Sequence, residues 1–277
     1  MKVFSIEFKR GVRSRAFKVT ILAGFVLAFI QFIKMGLLSG DEMEVLKEHG
    51  ISTVATGISN IHNSWLGGEL NSFYSSIFWA VFPFLITIPF ARSYFVDRKF
   101  GRIKNVLTRT NPKDYYISIW LSNFLIAGIA SILPLLLSLA LHSTTSTWMR
   151  PFVETSTFEV GYQSSETMFY LFYNKTALYL LIYFINIFIF AGLLSNIGLV
   201  SVIVEERFFV PLFVPFVIWM FTDLMSILYP SFFISLKNYL NPVGGSITLA
   251  KSLVLIVILF LSSAIPLWYQ YKYKKDF

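Results

Sequence analysis

The 277 residues are 56% hydrophobic and only 14% charged, whereas a soluble domain carries about 25% charged residues. So few charges cannot solvate the surface of a globular protein, which excludes a soluble enzyme and a nucleic-acid-binding domain. The net charge of +8 is therefore interpreted as a signal of membrane topology, and no nucleic-acid partner is expected. Cysteine is absent, which excludes a disulfide framework and a thiolate metal site.

Residues 1–15 predict a helix that lies in the membrane interface. Phe4, Phe8 and Val12 share one stripe of a helical wheel, and the cations cluster away from that stripe. This pattern places the apolar side in lipid and the cations near lipid phosphates, so membrane lipids are expected partners. The alternative interpretation is a basic segment that only orients the first span.

Six apolar segments are each long enough to cross a bilayer as a helix, which needs roughly 20 residues. The predicted fold class is therefore an all-α membrane protein, with one transmembrane domain over residues 1–277. The predicted spans cover residues 16–38, 77–95, 116–141, 177–204, 208–229 and 252–269.

The distribution of Lys and Arg predicts the orientation of these spans. Of the 23 cations, 17 lie in residues 1–18, in residues 92–113, at Arg207 and in the carboxyl-terminal tail. The opposite faces hold the six others together with eight acids. The positive-inside rule then places both termini in the cytoplasm.

The segment between the second and third spans predicts a cytoplasmic amphipathic helix over residues 97–110. Phe100, Ile103, Val106 and Leu107 recur there at helical spacing among many charges. Such an element, held at the end of a span, is suited to transmit a push from a cytoplasmic partner into the membrane. The alternative is a basic loop that only sets the topology.

Two polar side chains inside the spans predict a buried pathway or a subunit interface. Asp223 lies in the fifth span, and a carboxylate in hydrocarbon is costly unless it faces protein or water. It can also lie high enough to reach interfacial water. Asn186, like Asn123 and Asn196, is expected to form hydrogen bonds between helices. Residues 230–250 are too polar to cross the bilayer and too apolar for water, which favours a re-entrant segment.

Six spans, a basic interfacial helix and a charged helix after the second span together resemble permease subunits of the ABC type-2 transporter family. The resemblance implies an exporter half for an amphipathic or hydrophobic cargo, paired with a second copy or paralogue in a bacterial or archaeal plasma membrane. It also implies that the charged helix docks on a cytoplasmic pair of ATP-binding subunits. The implied contacts are Asp97, Arg98, Gly101, Ile103 and Leu107, with a second contact at Glu205 and Glu206. The alternative interpretation of the turn at Glu205 and Glu206 is a solvated hairpin.

The chain contains no Gly-x-x-x-x-Gly-Lys-[Ser/Thr] stretch, so ATP and Mg²⁺ are expected on the partner and no cofactor on this subunit. No catalytic or metal-binding constellation is predicted, and the chain is not expected to be an enzyme. Two alternatives remain at this point: a membrane scaffold or assembly protein that transports nothing, and a channel.

Overall fold

The computed structural model describes residues 2–37, 61–68, 73–146, 148, 170–172, 174–205, 207–229, 235–240 and 249–273. Every regular element within these ranges is a helix. In chain order the helices are α1 (Lys2–Arg13), α2 (Arg15–Gln31, continued by a π-helical stretch, Phe32–Leu37), α3 (Ile61–Ser64), α4 (Phe73–Thr87), α5 (Ser93–Lys99), α6 (Arg102–Leu107), α7 (Pro112–His142), α8 (Thr176–Ser201), α9 (Val210–Leu228), α10 (Leu236–Leu240) and α11 (Leu249–Tyr273).

Five of the described helices are long and apolar enough to cross a bilayer. They run over Arg15–Lys34, Pro112–His142, Thr176–Ser201, Val210–Leu228 and Ser252–Lys272. Each lies within a few residues of a predicted span, because hydropathy is a local property that the sequence carries directly. Helices of this length and composition find a suitable solvent only in hydrocarbon. The chain is therefore an all-α integral membrane protein.

The predicted second span, residues 77–95, is divided in the structure. α4 begins at Phe73 and ends at Thr87, so it is about 22 Å long and shorter than the roughly 30 Å hydrocarbon core. Residues 88–92 form turns before α5 begins, and these turns contain Pro89, which has no N–H to continue the helical hydrogen bonds. Hydropathy gives no signal of this break, and the sixth span stays a prediction.

The two longest helices, α7 and α8, form the centre of the bundle. α1 and α2 pack along α7, α9 and α11 pack along α8, and α4 contacts α2, α7, α8 and α9. Asn123 on α7 donates from Nδ2 to the Ser195 hydroxyl on α8 at 3.0 Å, so the predicted interhelical hydrogen bond is confirmed for Asn123. Gly128 and Gly192 leave room for phenylalanine rings of the facing helix, which brings the two backbones close together.

The amino-terminal helix lies against the bundle. It ends at Arg13, and Ser14 begins α2 by accepting a hydrogen bond at Oγ from the Phe17 N–H at 3.0 Å. Phe8 and Val12, from the predicted apolar stripe, pack against a buried cluster of the bundle core. The predicted helix over residues 1–15 is therefore confirmed as a helix, but Phe8 and Val12 of its apolar stripe pack against protein, where the prediction placed them in lipid. The position of the helix at a membrane surface stays a prediction.

Candidate functional site

The segment predicted as one helix over residues 97–110 folds as two short helices, α5 and α6. Gly101 lies between them with a φ of +68°, a left-handed conformation that any side chain would strain. No atom lies within 4 Å of the position that a Cβ would take, so the backbone conformation, and not crowding, favours glycine there. The turn brings α6 against the start of α7.

The apolar residues of α6 face the bundle. Ile103 and Leu107 are buried in one cluster with Tyr94 of α5 and with Tyr115 and Tyr116 of α7. This burial confirms that α6 is amphipathic. It also means that Ile103 and Leu107, two of the residues that the resemblance assigns to the partner contact, hold α6 in place within the chain.

A cluster of four charged side chains, Glu7, Arg10, Asp97 and Arg102, joins α1 to α5 and α6. Arg10 donates from Nη1 to Asp97 Oδ1 at 2.9 Å and from Nη2 to Asp97 Oδ2 at 2.8 Å. The same Nη2 lies 2.8 Å from Glu7 Oε2. Arg102 bridges the same two carboxylates, with Nη2 2.9 Å from Glu7 Oε1 and Nη1 3.2 Å from Asp97 Oδ1. Each arginine of the charge cluster therefore contacts both carboxylates.

Both carboxylates of the charge cluster are buried, with Glu7 2% and Asp97 4% exposed. Removing a charge from water costs several kcal/mol unless it is paired and hydrogen-bonded. The planar fork of Arg10 meets that condition for Asp97, and the guanidinium also lies 5.4 Å from the centroid of the Phe90 ring. Separating α5 from α1 would leave buried charges unpaired, so the charge cluster holds these helices together.

Burial raises the pKa of the Glu7 carboxyl above its ordinary value of 4.5, while Arg10 opposes the shift and Asp97 adds to it. The folded state therefore binds a proton on Glu7 more readily than the unfolded chain does, so protonation stabilises the fold. We expect the stability of the protein relative to Glu7→Gln to rise as the pH falls through the raised pKa, and to level off below 4.5. Thermal unfolding of both proteins from neutral to acidic pH measures this difference; a constant difference would contradict it.

The face of α5 and α6 that points away from the bundle is basic and carries one large apolar side chain. Phe100 is 76% exposed, and Lys99, Lys104 and Arg109 are exposed along the same segment. Residues 98–113 contain no acid. This segment therefore exposes an aromatic ring among cations.

The other contacts that the resemblance implies fall into two groups. Asp97 lies within the charge cluster, whereas Arg98 and Gly101 are partly exposed beside Phe100. Glu205 is exposed and its Oε1 lies 2.6 Å from Arg207 Nε. Such a surface ion pair contributes little to stability. Glu206 lies outside the described residues.

Asp223 and Asn186, the two polar residues predicted for a pathway or interface, both anchor one short segment. The Ser235 hydroxyl donates to Asp223 Oδ1 at 2.6 Å, and the Tyr239 hydroxyl donates to Asn186 Oδ1 at 2.8 Å. These bonds fasten α10 to α9 and to α8. The sequence gives no local signal for Ser235 and Tyr239 as partners. Most of the predicted re-entrant segment, apart from residues 235–240 and 249–250, lies outside the described residues.

Within the part of the chain that the structure describes, no group of three or more Asp, Glu or His side chains is placed to hold a metal ion. The candidate site consists of a basic surface with an exposed ring, joined to the bundle by the charge cluster and by the buried residues of α6. In comparisons with known proteins, no protein-family model, no curated protein and no solved structure matches this chain.

Proposed function

We propose that the chain is the membrane-spanning permease subunit of an ATP-driven exporter of the ABC type. One observation carries the proposal: the exposed Phe100 stands on a basic element that the charge cluster joins to the rest of the bundle. A loop that only set the topology would need no charge cluster to fasten it to α1. ATP and Mg²⁺ would bind to a separate cytoplasmic pair of subunits.

The charge cluster supports a mechanical role because it connects three helices, α1, α5 and α6. Asp97 of α5 binds Arg10 of α1, and Arg102 at the start of α6 binds Glu7 of α1. The buried face of α6 rests on the first turn of α7, next to Tyr115. A push against Phe100 would therefore move α1, α5, α6 and the start of α7 together, and would reach a membrane span at its end.

The remaining parts of the proposal complete a transport pathway. α4 and the turn that follows it would supply a sixth span, both termini would face the cytoplasm, and two copies or paralogues would form the pathway. The abundance of phenylalanine in the chain, 30 residues, favours an amphipathic or hydrophobic cargo such as a peptide, lipid or drug. The short α10, fastened by Asp223 and Asn186, would then close the end of the pathway opposite to the charge cluster.

The experiment that tests this function is co-purification from the native membrane. The chain is tagged at its carboxyl terminus and extracted in mild detergent, and ATP hydrolysis is assayed in the same fraction. We expect a stoichiometric subunit with a P-loop, whose hydrolysis is abolished by replacing the P-loop lysine. A homogeneous protein without ATPase, reproduced after extraction into lipid nanodiscs, would overturn the proposal in favour of a scaffold or a channel.

Replacing Phe100 by alanine tests the docking surface. We expect about tenfold weaker binding of the ATPase subunit and a matching loss of ATP-driven transport, because exposed aromatic anchors dominate such contacts. Stability should stay within about 0.5 kcal/mol, because Phe100 is exposed. Phe73→Ala is the matched control. Phe73 is also a highly exposed phenylalanine, at 72%, but it lies at the first residue of α4, away from α5 and α6. Equal effects of the two substitutions would contradict the assignment of Phe100.

A further inference from the structure

A groove of about 480 Å³ opens between the start of α7 and the end of α11. α11 packs mainly against α8 and only lightly against α7, which leaves space between α7 and α11. Its volume falls in the range of sites for small ligands, about 300–1,000 Å³. The side chains that define its chemistry are Lys113, Tyr116, Trp120, Phe260, Trp268 and Tyr271.

The lining of this groove combines one cation with a largely apolar surface. Lys113 is the only charged residue in the lining. A second cation stands close by, since Lys272 Nζ lies 4.8 Å from the centroid of the Trp268 ring. The neighbouring acid, Asp114, is outside the lining, because one residue further along a helix points about 100° away.

The aromatic residues of the groove indicate its depth in the membrane. Tyr and Trp concentrate where hydrocarbon meets water, because each combines an apolar ring with a polar group. The groove carries such rings on both walls, and Trp120 Nε1 donates to the Ser263 hydroxyl at 3.3 Å. Its apolar interior therefore adjoins hydrocarbon, and Lys113, in the first turn of α7, stands at the polar boundary.

We propose that this groove binds an anionic phospholipid, with one acyl chain between α7 and α11 and the phosphate at Lys113 and Lys272. The two cations complement the headgroup, and basic pockets between membrane helices are suited to such lipids. The lipid site requires only the membrane-spanning fold, and not the exporter role.

A lipid fits this groove better than a second copy of the chain does. A two-fold contact places the same patch of both subunits face to face. Such a contact through the groove would bring the Lys113 and Lys272 pairs of two copies together, and like charges at close range repel. An anionic lipid instead places its negative headgroup beside these cations of a single chain.

The test uses the purified full-length protein in mild detergent and phosphatidylglycerol that carries a photoreactive diazirine on an acyl chain. We expect the label on the first turns of α7 and the last turns of α11. Unlabelled phosphatidylglycerol should compete at concentrations at which phosphatidylcholine and inorganic phosphate do not. Equal competition by phosphatidylcholine, or competition by inorganic phosphate alone, would overturn the proposal.

Two pairs of variants separate binding of the lipid headgroup from binding of the acyl chain. Lys113→Gln should raise the half-saturating concentration of phosphatidylglycerol about fivefold, whereas Lys175→Gln, an exposed lysine just before α8, should leave it unchanged. Ala264→Phe should block labelling by filling the groove, and Ser262→Phe, exposed on the same helix and outside the lining, should not. Labelling that is unchanged in both Lys113→Gln and Ala264→Phe would overturn the proposal.

Because the chain contains no cysteine, Ala264→Cys introduces a single thiol into the groove. In native membranes under mild oxidation we expect no disulfide-linked dimer through this thiol. Efficient dimer formation would show that a second copy covers the groove, which would overturn the lipid proposal.

Discussion

Replacing Asp97 by alanine is expected to lower the free energy of unfolding by about 3 kcal/mol, at the lower end of the effect of breaking a buried ion pair. The substitution removes the carboxylate that accepts hydrogen bonds from Nη1 and Nη2 of Arg10 and lies 3.2 Å from Nη1 of Arg102. Glu7 is then the one carboxylate of the charge cluster left to pair with Arg10 and Arg102. Because the two guanidinium groups are partly exposed, water limits the cost. Denaturant unfolding in mild detergent measures the loss.

Asp114→Ala is the matched control for this substitution. Asp114 is also an aspartate at this end of the bundle, but it is exposed and lies in the first turn of α7, where a carboxylate interacts favourably with the amino terminus of the helix. Its loss should cost less than about 1 kcal/mol. A cost for Asp97→Ala that does not exceed the cost for Asp114→Ala would show that the charge cluster does not stabilise the fold.

A double-mutant cycle assigns the effect to the pair. Arg10→Ala and Asp97→Ala should together cost less than the sum of the two single substitutions, with a coupling energy of about 1–3 kcal/mol. Lys9→Ala replaces Arg10→Ala in a control cycle, because Lys9 is exposed on the same helix. Additivity within about 0.5 kcal/mol for Arg10 and Asp97 would place the contribution of Asp97 elsewhere.

Five membrane helices and the amino-terminal helix could be predicted from the sequence, since each depends on a local pattern of apolar residues. The break after Thr87 could not be predicted in this way. Averaged hydropathy extends across Ile88, Phe90 and Ala91, which are apolar whether the chain is helical or turned. A proline inside a span also does not by itself end a helix, since Pro134 lies within the continuous α7.

The charge cluster could not be predicted, because its partners are far apart in the chain. Positions 10 and 97 are 87 residues apart, and each lies in a basic stretch that the topology rule already explains. One signal was present: Glu7 is the single acid in residues 1–18 and lies one helical turn before Arg10. A lone acid at that spacing favours an inward-facing ion pair over a purely lipid-facing surface.

The resemblance and the periodicity lead to different roles for α6. Helical spacing correctly predicts an apolar face at Ile103 and Leu107, but spacing cannot tell which surface that face covers. In the structure the face covers Tyr115 and Tyr116 of α7. The surface left for a partner is then the basic side with Phe100, which is why the docking proposal rests on that ring.

Replacing Gly198 by alanine is expected to destabilise the protein by about 2 kcal/mol, although the same change inside a helix ordinarily stabilises by roughly 0.5–1 kcal/mol. The sign reverses because a Cβ at this position of α8 would collide with the Pro211 carbonyl oxygen and would lie 2.9 Å from Cγ of Pro215. Both groups belong to α9, and neither a backbone carbonyl nor a proline ring can rotate away. The melting temperature in mild detergent measures the effect, with Ser262→Leu as the control because Ser262 is exposed on α11. A stability gain for Gly198→Ala would show that α8 and α9 are not packed backbone to backbone at this point, and that α9 can move away from the bundle at low cost.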